Sequence, residues 1–276
     1  MIAEDVYTLI TGAAGGFGRT LTVECAARNM NIIATDVPGS GLDGLANFIR
    51  RNYNVKVISI ESDLAATNGC EMLYNHVKLQ NALIGILVNN AGIGGSSFFD
   101  DKSADYYAKQ VYLNTVVPTI LCRLFLDDLK HTRGYILNVA SLAAFFMLPG
   151  KQVYAASKNY IVSFSKALQA EMKRYNVHVS VVCPGGMDTT LDLIIKHKQC
   201  SWLSRMSVMQ PQQVARIAIN GLLSGKKLII PGFINRLFLC LGKMLPQSAS
   251  KSLSEKEIKR LIINSEVCHV AGSIAS

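Results

Sequence analysis

Short apolar runs recur along the chain, each bounded by polar or glycine-rich turns, with longer amphipathic stretches between them. VYTLIT (6–11) reads as a buried strand; glycines follow, then a helix from about Phe17 to Asn29. NIIATD (31–36) is a second strand, and a helix from about Leu42 leads to VKVISI (55–60), whose β-branched content favours a third. A helix over about 67–80 precedes IGILVNN (84–90), and a long helical region from about Ala104 to His131 precedes GYILNVA (134–140). A helix over about 151–174 leads to VHVSVVC (177–183). Pro211 suits the first turn of a helix ending near Ser224 and Gly225, and KLIIPG (227–232) closes the series. Seven apolar strands alternating with helices predict a parallel sheet covered on both faces, a doubly wound α/β fold.

The segment after Pro231-Gly232 differs. Phe233, Ile234, Leu237, Phe238, Leu241, Met244 and Leu245 fall at helical spacing, flanked by Arg236 and Lys243. This reads as an amphipathic helix, either lying on a membrane or packed on its own domain or a partner subunit. The expected organisation is an α/β domain over 1–232, including a substrate loop at about 186–209, and an extension over 233–276 that is helical in part.

Composition narrows the class. The chain is 50% hydrophobic and 17% charged, which excludes disorder. The start, MIAEDVYTLITG, has no basic region ahead of a long apolar stretch, so no secretory signal is expected. No window reaches about 18 uninterrupted apolar residues, so no spanning helix is expected. The seven cysteines are odd in number, scattered and without a CxxC pair, which suits small buried hydrophobes in a reducing cytoplasm.

The formal net charge is +9, and its placement matters more than its size. Residues 193–254 contain no Asp or Glu but carry Lys196, Lys198, Arg205, Arg216, Lys226, Lys227, Arg236, Lys243 and Lys251. A one-signed stretch attracts anions. It fits a basic face toward solvent or a neighbouring subunit, an anionic membrane surface, or an acyl chain on an anionic carrier. No basic helix with interleaved aromatics accompanies it, so nucleic acid is not expected.

The first strand runs into Thr11-Gly12-Ala13-Ala14-Gly15-Gly16-Phe17-Gly18. Glycines at 12, 16 and 18 allow a tight turn and close approach of a pyrophosphate, and the following helix offers free N–H groups and the positive end of its dipole. Set between strand and helix at the head of an alternating chain, the loop predicts a Rossmann-type dinucleotide site with contacts from Gly12, Ala14, Gly15, Gly16, Phe17 and Gly18. Asp36 ends the second strand, where a carboxylate accepts from the adenine ribose hydroxyls and repels a 2′-phosphate. It argues for NAD over NADP, unless it only caps the turn before Pro38 or Arg19 offsets the repulsion. Asp63, with Leu64, follows the third strand and either meets the adenine or caps the next helix.

Tyr154 and Lys158 stand four residues apart in VYAASK, on one helix face, and Ser141 ends the fifth strand. Carbonyl reduction needs an acid to protonate the alkoxide, and a free tyrosine, with a pKa near 10, is too weak. A lysine cation one turn away stabilises the phenolate, and a serine hydroxyl can hold the substrate oxygen in line. Together these residues resemble the short-chain dehydrogenase/reductase family, of the classical type, over about residues 6–232. Thr11 to Gly18 match its TGxxxGxG, Asn89-Asn90-Ala91-Gly92 its NNAG, and Pro184-Gly185 with Thr189 its PGxxxT. The resemblance implies Tyr154 as general acid or base, Lys158 lowering the tyrosine pKa and binding the nicotinamide ribose, and Ser141 polarising the carbonyl. It also implies Asn114, in YLNTVVP, as the fourth catalytic residue, holding a water in a proton relay. Asn90, Ala91 and Gly92 would border the cofactor, and Pro184, Gly185 and Thr189 would hold the carboxamide. No metal is implied, and no clustered His/Cys set suggests one.

The wall of the substrate site is expected from Leu142 to Leu148 and from the loop after Gly186, with Met187, Leu191, Ile194, Ile195, Trp202 and Met206. Met-rich and aromatic walls suit a bulky apolar molecule. The expected activity is therefore NAD(H)-dependent interconversion of a secondary alcohol and a ketone on a lipid-like substrate. A homodimer or homotetramer is expected, in the cytoplasm, with or without contact to a membrane. The alternatives are an NADP-dependent 3-oxoacyl-type reductase, or a non-catalytic NAD-binding scaffold or regulator.

Overall fold

The computed structural model describes residues 5–189 and 205–244. Seven strands form one sheet: β1 (Val6–Thr11), β2 (Asn31–Asp36), β3 (Val57–Glu61), β4 (Leu83–Asn89), β5 (Tyr135–Val139), β6 (His178–Val182) and β7 (Leu228–Ile229). Their order is β3-β2-β1-β4-β5-β6-β7, and every neighbouring pair is parallel. The connecting helices are α1 (Gly16–Ala26), α2 (Leu42–Asn52), α3 (Gly69–Leu79), α4 (Ala104–Val111), α5 (Val117–Leu124), α6 (Leu126–Thr132), α7 (Gln152–Met172), α8 (Pro211–Leu223) and α9 (Phe233–Met244). This is the doubly wound, Rossmann-like architecture that the alternation predicts.

Successive strand residues point to opposite faces, and both faces are covered, so the strands are apolar without alternation. Ile10, Ile32 and Val88 pack with α1, α2 and α8 on one side, against residues such as Leu21, Leu45 and Ile219. Leu9, Ile33 and Leu87 pack with α3, α5 and α6 on the other, against Leu73, Leu121 and Leu129. The strand order turns back between β1 and β4. The loops leaving the C-terminal ends of these strands diverge and leave a crevice, which is where ligands of such sheets bind.

Three elements differ from expectation. The helical region 104–131 is broken into α4, a π-helical turn Tyr112–Val116, α5 and α6. Pro118 lacks the N–H that would bond the carbonyl of Asn114, and its ring crowds that carbonyl, so the preceding turn widens. The helix expected over 17–29 ends at Ala26, and Asn29 adopts a left-handed φ of 59°. The strand expected over 227–232 pairs only at Leu228–Ile229, since Pro231 has no N–H for a ladder.

Candidate active site

The crevice between β1 and β4 encloses about 470 Å³ and is lined by Gly12, Gly15, Gly16, Phe17, Gly18, Asp36, Asp63, Leu64, Asn90, Ala91 and Gly92. Its floor is the turn from β1 into α1. Gly12 has φ +62°, and a Cβ added at Gly18 would lie 1.8 Å from the Gly12 carbonyl oxygen, so neither position admits a side chain. The N-terminus of α1 has no side-chain cap and no acid in its first turn, which leaves its N–H groups open to an anion. A pyrophosphate therefore fits the donors present.

Asn90 anchors the crevice wall. Its Nδ2 donates to the carbonyls of Thr11 and Gly12, both at 3.0 Å, and the N–H groups of Asn90 and Ala91 donate to the Thr11 hydroxyl at 3.0 Å. At the far end of the wall the Asp36 carboxylate accepts from the N–H of Ala14 and of Val37, each at 2.8 Å. Ala14 thus braces the acid from within the glycine loop. Asp63 accepts from the N–H of Ala65 at 2.9 Å, the turn-capping role, and also lies 3.9 Å from the Lys109 ammonium. Thr189 stands over the start of α1, since a Cβ at Gly16 would meet the Thr189 Cβ at 2.5 Å. The N–H of Leu142 donates to the Pro184 carbonyl at 2.7 Å, joining the segments after β5 and β6.

Asn114 sits in the π-helical turn and is buried. Its Oδ1 accepts from the N–H of Ile93 at 2.8 Å, and its Nδ2 donates to the Ile93 carbonyl and the Ser157 hydroxyl, both at 3.0 Å. A Cβ on Gly92 would fall 2.7 Å from Asn114 Oδ1 and 3.4 Å from Lys158 Nζ, so the wall of the crevice ends where these side chains begin. Lys158 is buried and donates to the Val139 carbonyl at 2.9 Å. Burial pulls its pKa down to about 8. Asn159 donates to the Ala144 carbonyl at 2.9 Å and so fixes α7 to the turn that carries Ser141.

The Ser141 hydroxyl neighbours the Tyr154 phenol. Burial pushes the phenol above its ordinary pKa, and Ser141 opposes this only in part. The sequence led us to expect a phenol brought down by Lys158. Here the ammonium lies 5.9 Å from the centre of the tyrosine ring and is aimed at Val139, and desolvation wins.

The four residues expected to act together, Asn114, Ser141, Tyr154 and Lys158, are therefore brought together beside the crevice. Sequence reasoning missed Lys109 and Leu113, which also line it, and Ser157. Lys109 and Leu113 are four apart on the approach to Asn114, a helical-face signal that was there to use. Asn235 of α9 was missed as well. It is buried, its Nδ2 donates to the carbonyls of Pro231 at 2.8 Å and Ser207 at 3.2 Å, and it fills the space beside Gly185. Of the expected substrate wall, Met187 packs into the core, whereas Met147 is 74% and Met206 40% exposed. Leu191, Ile194, Ile195 and Trp202 lie outside the described residues.

Comparison with known proteins gives the same picture. Over 192 residues the chain is 31% identical to human 17-beta-hydroxysteroid dehydrogenase type 3, covering 67% of this chain and 60% of that protein. Over 200 residues it is 32% identical to a very-long-chain 3-oxoacyl-CoA reductase of Anas platyrhynchos, covering 69% of this chain and 62% of the relative. The matches thus span about three fifths of the length of these relatives. A short-chain dehydrogenase from Sphingobium yanoikuyae, solved in complex with NADPH, superposes with a TM-score of 0.73 at 25% identity, over 82% of this chain and 88% of that one. The family model for short chain dehydrogenases matches residues 7–199, and on this the chain belongs to the short-chain dehydrogenase/reductase family.

Proposed function

We propose that the protein is an oxidoreductase that interconverts a secondary alcohol and a ketone on a hydrophobic, lipid-like substrate, with NAD(H) as its dinucleotide. The observation that carries this reading is the joining of Tyr154, Ser141, Lys158 and Asn114 at the inner end of the glycine-floored crevice. The bound nicotinamide would supply or accept the hydride at the substrate carbon. Ser141 and Tyr154 would hold the substrate oxygen between two hydroxyls. With its pKa raised, Tyr154 rests as the phenol, the form that gives a proton to an alkoxide, so the site is set for reduction at neutral pH. Lys158, at about 8, keeps its proton at pH 7 and would hold the nicotinamide ribose once turned from Val139. Asn114 and Ser157 fix the backbone around both. Pro184, Gly185 and Thr189 would hold the carboxamide, and Asp63 and Leu64 would border the adenine.

Asp36 supports NAD(H) over NADP(H), since a 2′-phosphate would face its carboxylate. The relative that carries NADPH keeps an NADP-dependent 3-oxoacyl-type reductase as the second reading. The hydroxysteroid and 3-oxoacyl relatives, together with exposed Met147 and Met206 after β5 and β6, support a lipid-like hydroxy or keto substrate. Exposed Val111 and Tyr160, at the end of α4 and on α7, suit a homodimer or homotetramer. The test is Tyr154→Phe, assayed by NADH absorbance against a panel of lipid-like ketones and alcohols. Turnover should fall by at least about a hundredfold, with dinucleotide affinity kept. If the variant turns over normally, Tyr154 is not the proton donor and this mechanism fails; if the wild type binds dinucleotide and reduces none of the panel, a regulatory scaffold replaces this reading.

A further inference from the structure

Helices on a protein surface turn their polar side chains to water and their apolar ones inward. α9 departs from this on its outer face, which is apolar. Its inner face carries Asn235, only 1% exposed, and Leu239. Its outer face carries Phe233 (77% exposed), Leu237 (44%) and Leu241 (49%), spaced at i, i+4 and i+8. Exposed Cys240 lies beside that line, and exposed Arg236 flanks it. The orientation is fixed from below: Asn235 donates to Pro231 and Ser207, and Arg236 Nε donates to the Ile230 carbonyl at 3.1 Å. α9 leaves the C-terminal end of β7 and packs beside the Leu142–Phe145 turn that follows Ser141. Exposed Met147 and Met206 lie at this same end of the sheet.

We propose that α9 is an interfacial helix that seats the protein on an anionic lipid bilayer. Phe233, Leu237 and Leu241 enter the boundary between headgroups and acyl chains, and Arg236 meets the lipid phosphates. Twelve residues are too few to span a bilayer, and among the described residues no helix is long and apolar enough to do so, so the helix lies in the surface plane. Charge selects this occupant over a second copy of the chain. A two-fold contact through this face would bring Arg236 of both copies together, and residues 193–254 contain no carboxylate to separate them. Docking in this way turns the mouth of the site toward the layer where lipid-like molecules reside. The inference goes beyond the oxidoreductase reading and does not rest on it.

The test is co-sedimentation of the full chain with vesicles of phosphatidylcholine alone or with about 30 mol% phosphatidylserine. The wild type should partition onto the anionic vesicles and be released by salt. Phe233→Ser/Leu237→Gln should lower the partition coefficient at least about tenfold, and Arg236→Gln about fivefold. Dinucleotide affinity and lipid-free melting temperature should not change. The proposal is overturned if the wild type does not partition, or if Phe233→Ser/Leu237→Gln partitions equally. It is overturned also if that variant turns a dimer into a monomer, which identifies a second copy as the cover. A lower melting temperature in lipid-free buffer would identify the chain's own residues after 244 as the cover, with the same consequence.

Discussion

Lys158 should cost the fold stability for as long as it is charged. Its pKa is lowered from 10.5 to about 8 by burial, and at about 1.4 kcal/mol per unit this is about 3 kcal/mol of unfavourable burial at neutral pH. Lys158→Met fills much the same volume without the charge. It also leaves the Val139 carbonyl without this partner, at about 1–3 kcal/mol, so a net gain of up to about 2 kcal/mol is expected at pH 7. The folded state holds this proton less tightly than the unfolded chain. Between pH about 8 and 10.5 the unfolded chain therefore binds more protons, and Lys158 contributes a stability that rises with pH over that window.

Other groups pull the opposite way. Cys25, Cys70, Cys122 and Cys183 are raised by burial to about 12, so stability falls as their unfolded thiols ionise above pH about 9. The measurement must therefore be the difference between variant and wild type, from urea unfolding at matched pH between 6.5 and 10. The expected difference is up to about 2 kcal/mol in favour of Lys158→Met near pH 7, falling as pH approaches 10. A variant no more stable than wild type at pH 7, or a difference that does not change with pH, would refute the reasoning. Activity should be lost in the same variant, since residues arranged for chemistry are commonly those that burden the fold.

Asp36→Ala removes the carboxylate proposed to face the ribose and should shift the ratio of NADH to NADPH affinity toward NADPH by about tenfold, roughly 1.4 kcal/mol, read by fluorescence titration. Gly18→Ala places a methyl where the Gly12 carbonyl stands and should abolish dinucleotide binding while β1 and α1 still form, as circular dichroism would show. Asn235→Ala leaves the Pro231 and Ser207 carbonyls unpaired and should cost about 1–3 kcal/mol in urea unfolding. Because Asn235 supports Gly185, the same variant should raise the KM for dinucleotide more than it lowers kcat.

The strands were legible because buried parallel strands need nothing from elsewhere in the chain: VYTLIT, NIIATD and GYILNVA announce themselves by β-branched content and by the turns that bound them. The glycine loop and the Ser141, Tyr154, Lys158 set were legible for a related reason, since their spacing is local and the chemistry depends on it. What was not legible depends on long-range contacts. The reach of Asn235 to Ser207 crosses 28 positions, and that of Asn114 to Ser157 crosses 43. The apolar spacing of α9 was visible, but the spacing alone could not tell which side faces outward. Pro118 was visible too, and its effect on the carbonyl four residues back was a local rule left unused.

The groups that hold the site together are mostly amides and an ammonium bonding to main-chain carbonyls. Lys158 holds Val139, Asn159 holds Ala144, Asn90 holds Thr11 and Gly12, Asn114 holds Ile93, and Asn235 holds Pro231. Each acceptor lies at or just beyond the C-terminal end of a strand, where the ladder stops and the backbone would otherwise be unpaired. Four separate strand ends, those of β1, β4, β5 and β7, are thus each fixed by a side chain from another part of the chain. Lys158 differs from the amides in one respect. The nicotinamide ribose proposed for it would compete with Val139 for the same ammonium, so dinucleotide binding and the order of the β5 end are linked. Binding should then loosen that strand end while tightening the crevice wall at Asn90. Amide exchange at Ala140 and Ser141, compared with and without dinucleotide, would show it; protection rising equally at both places would leave Lys158 on Val139 throughout.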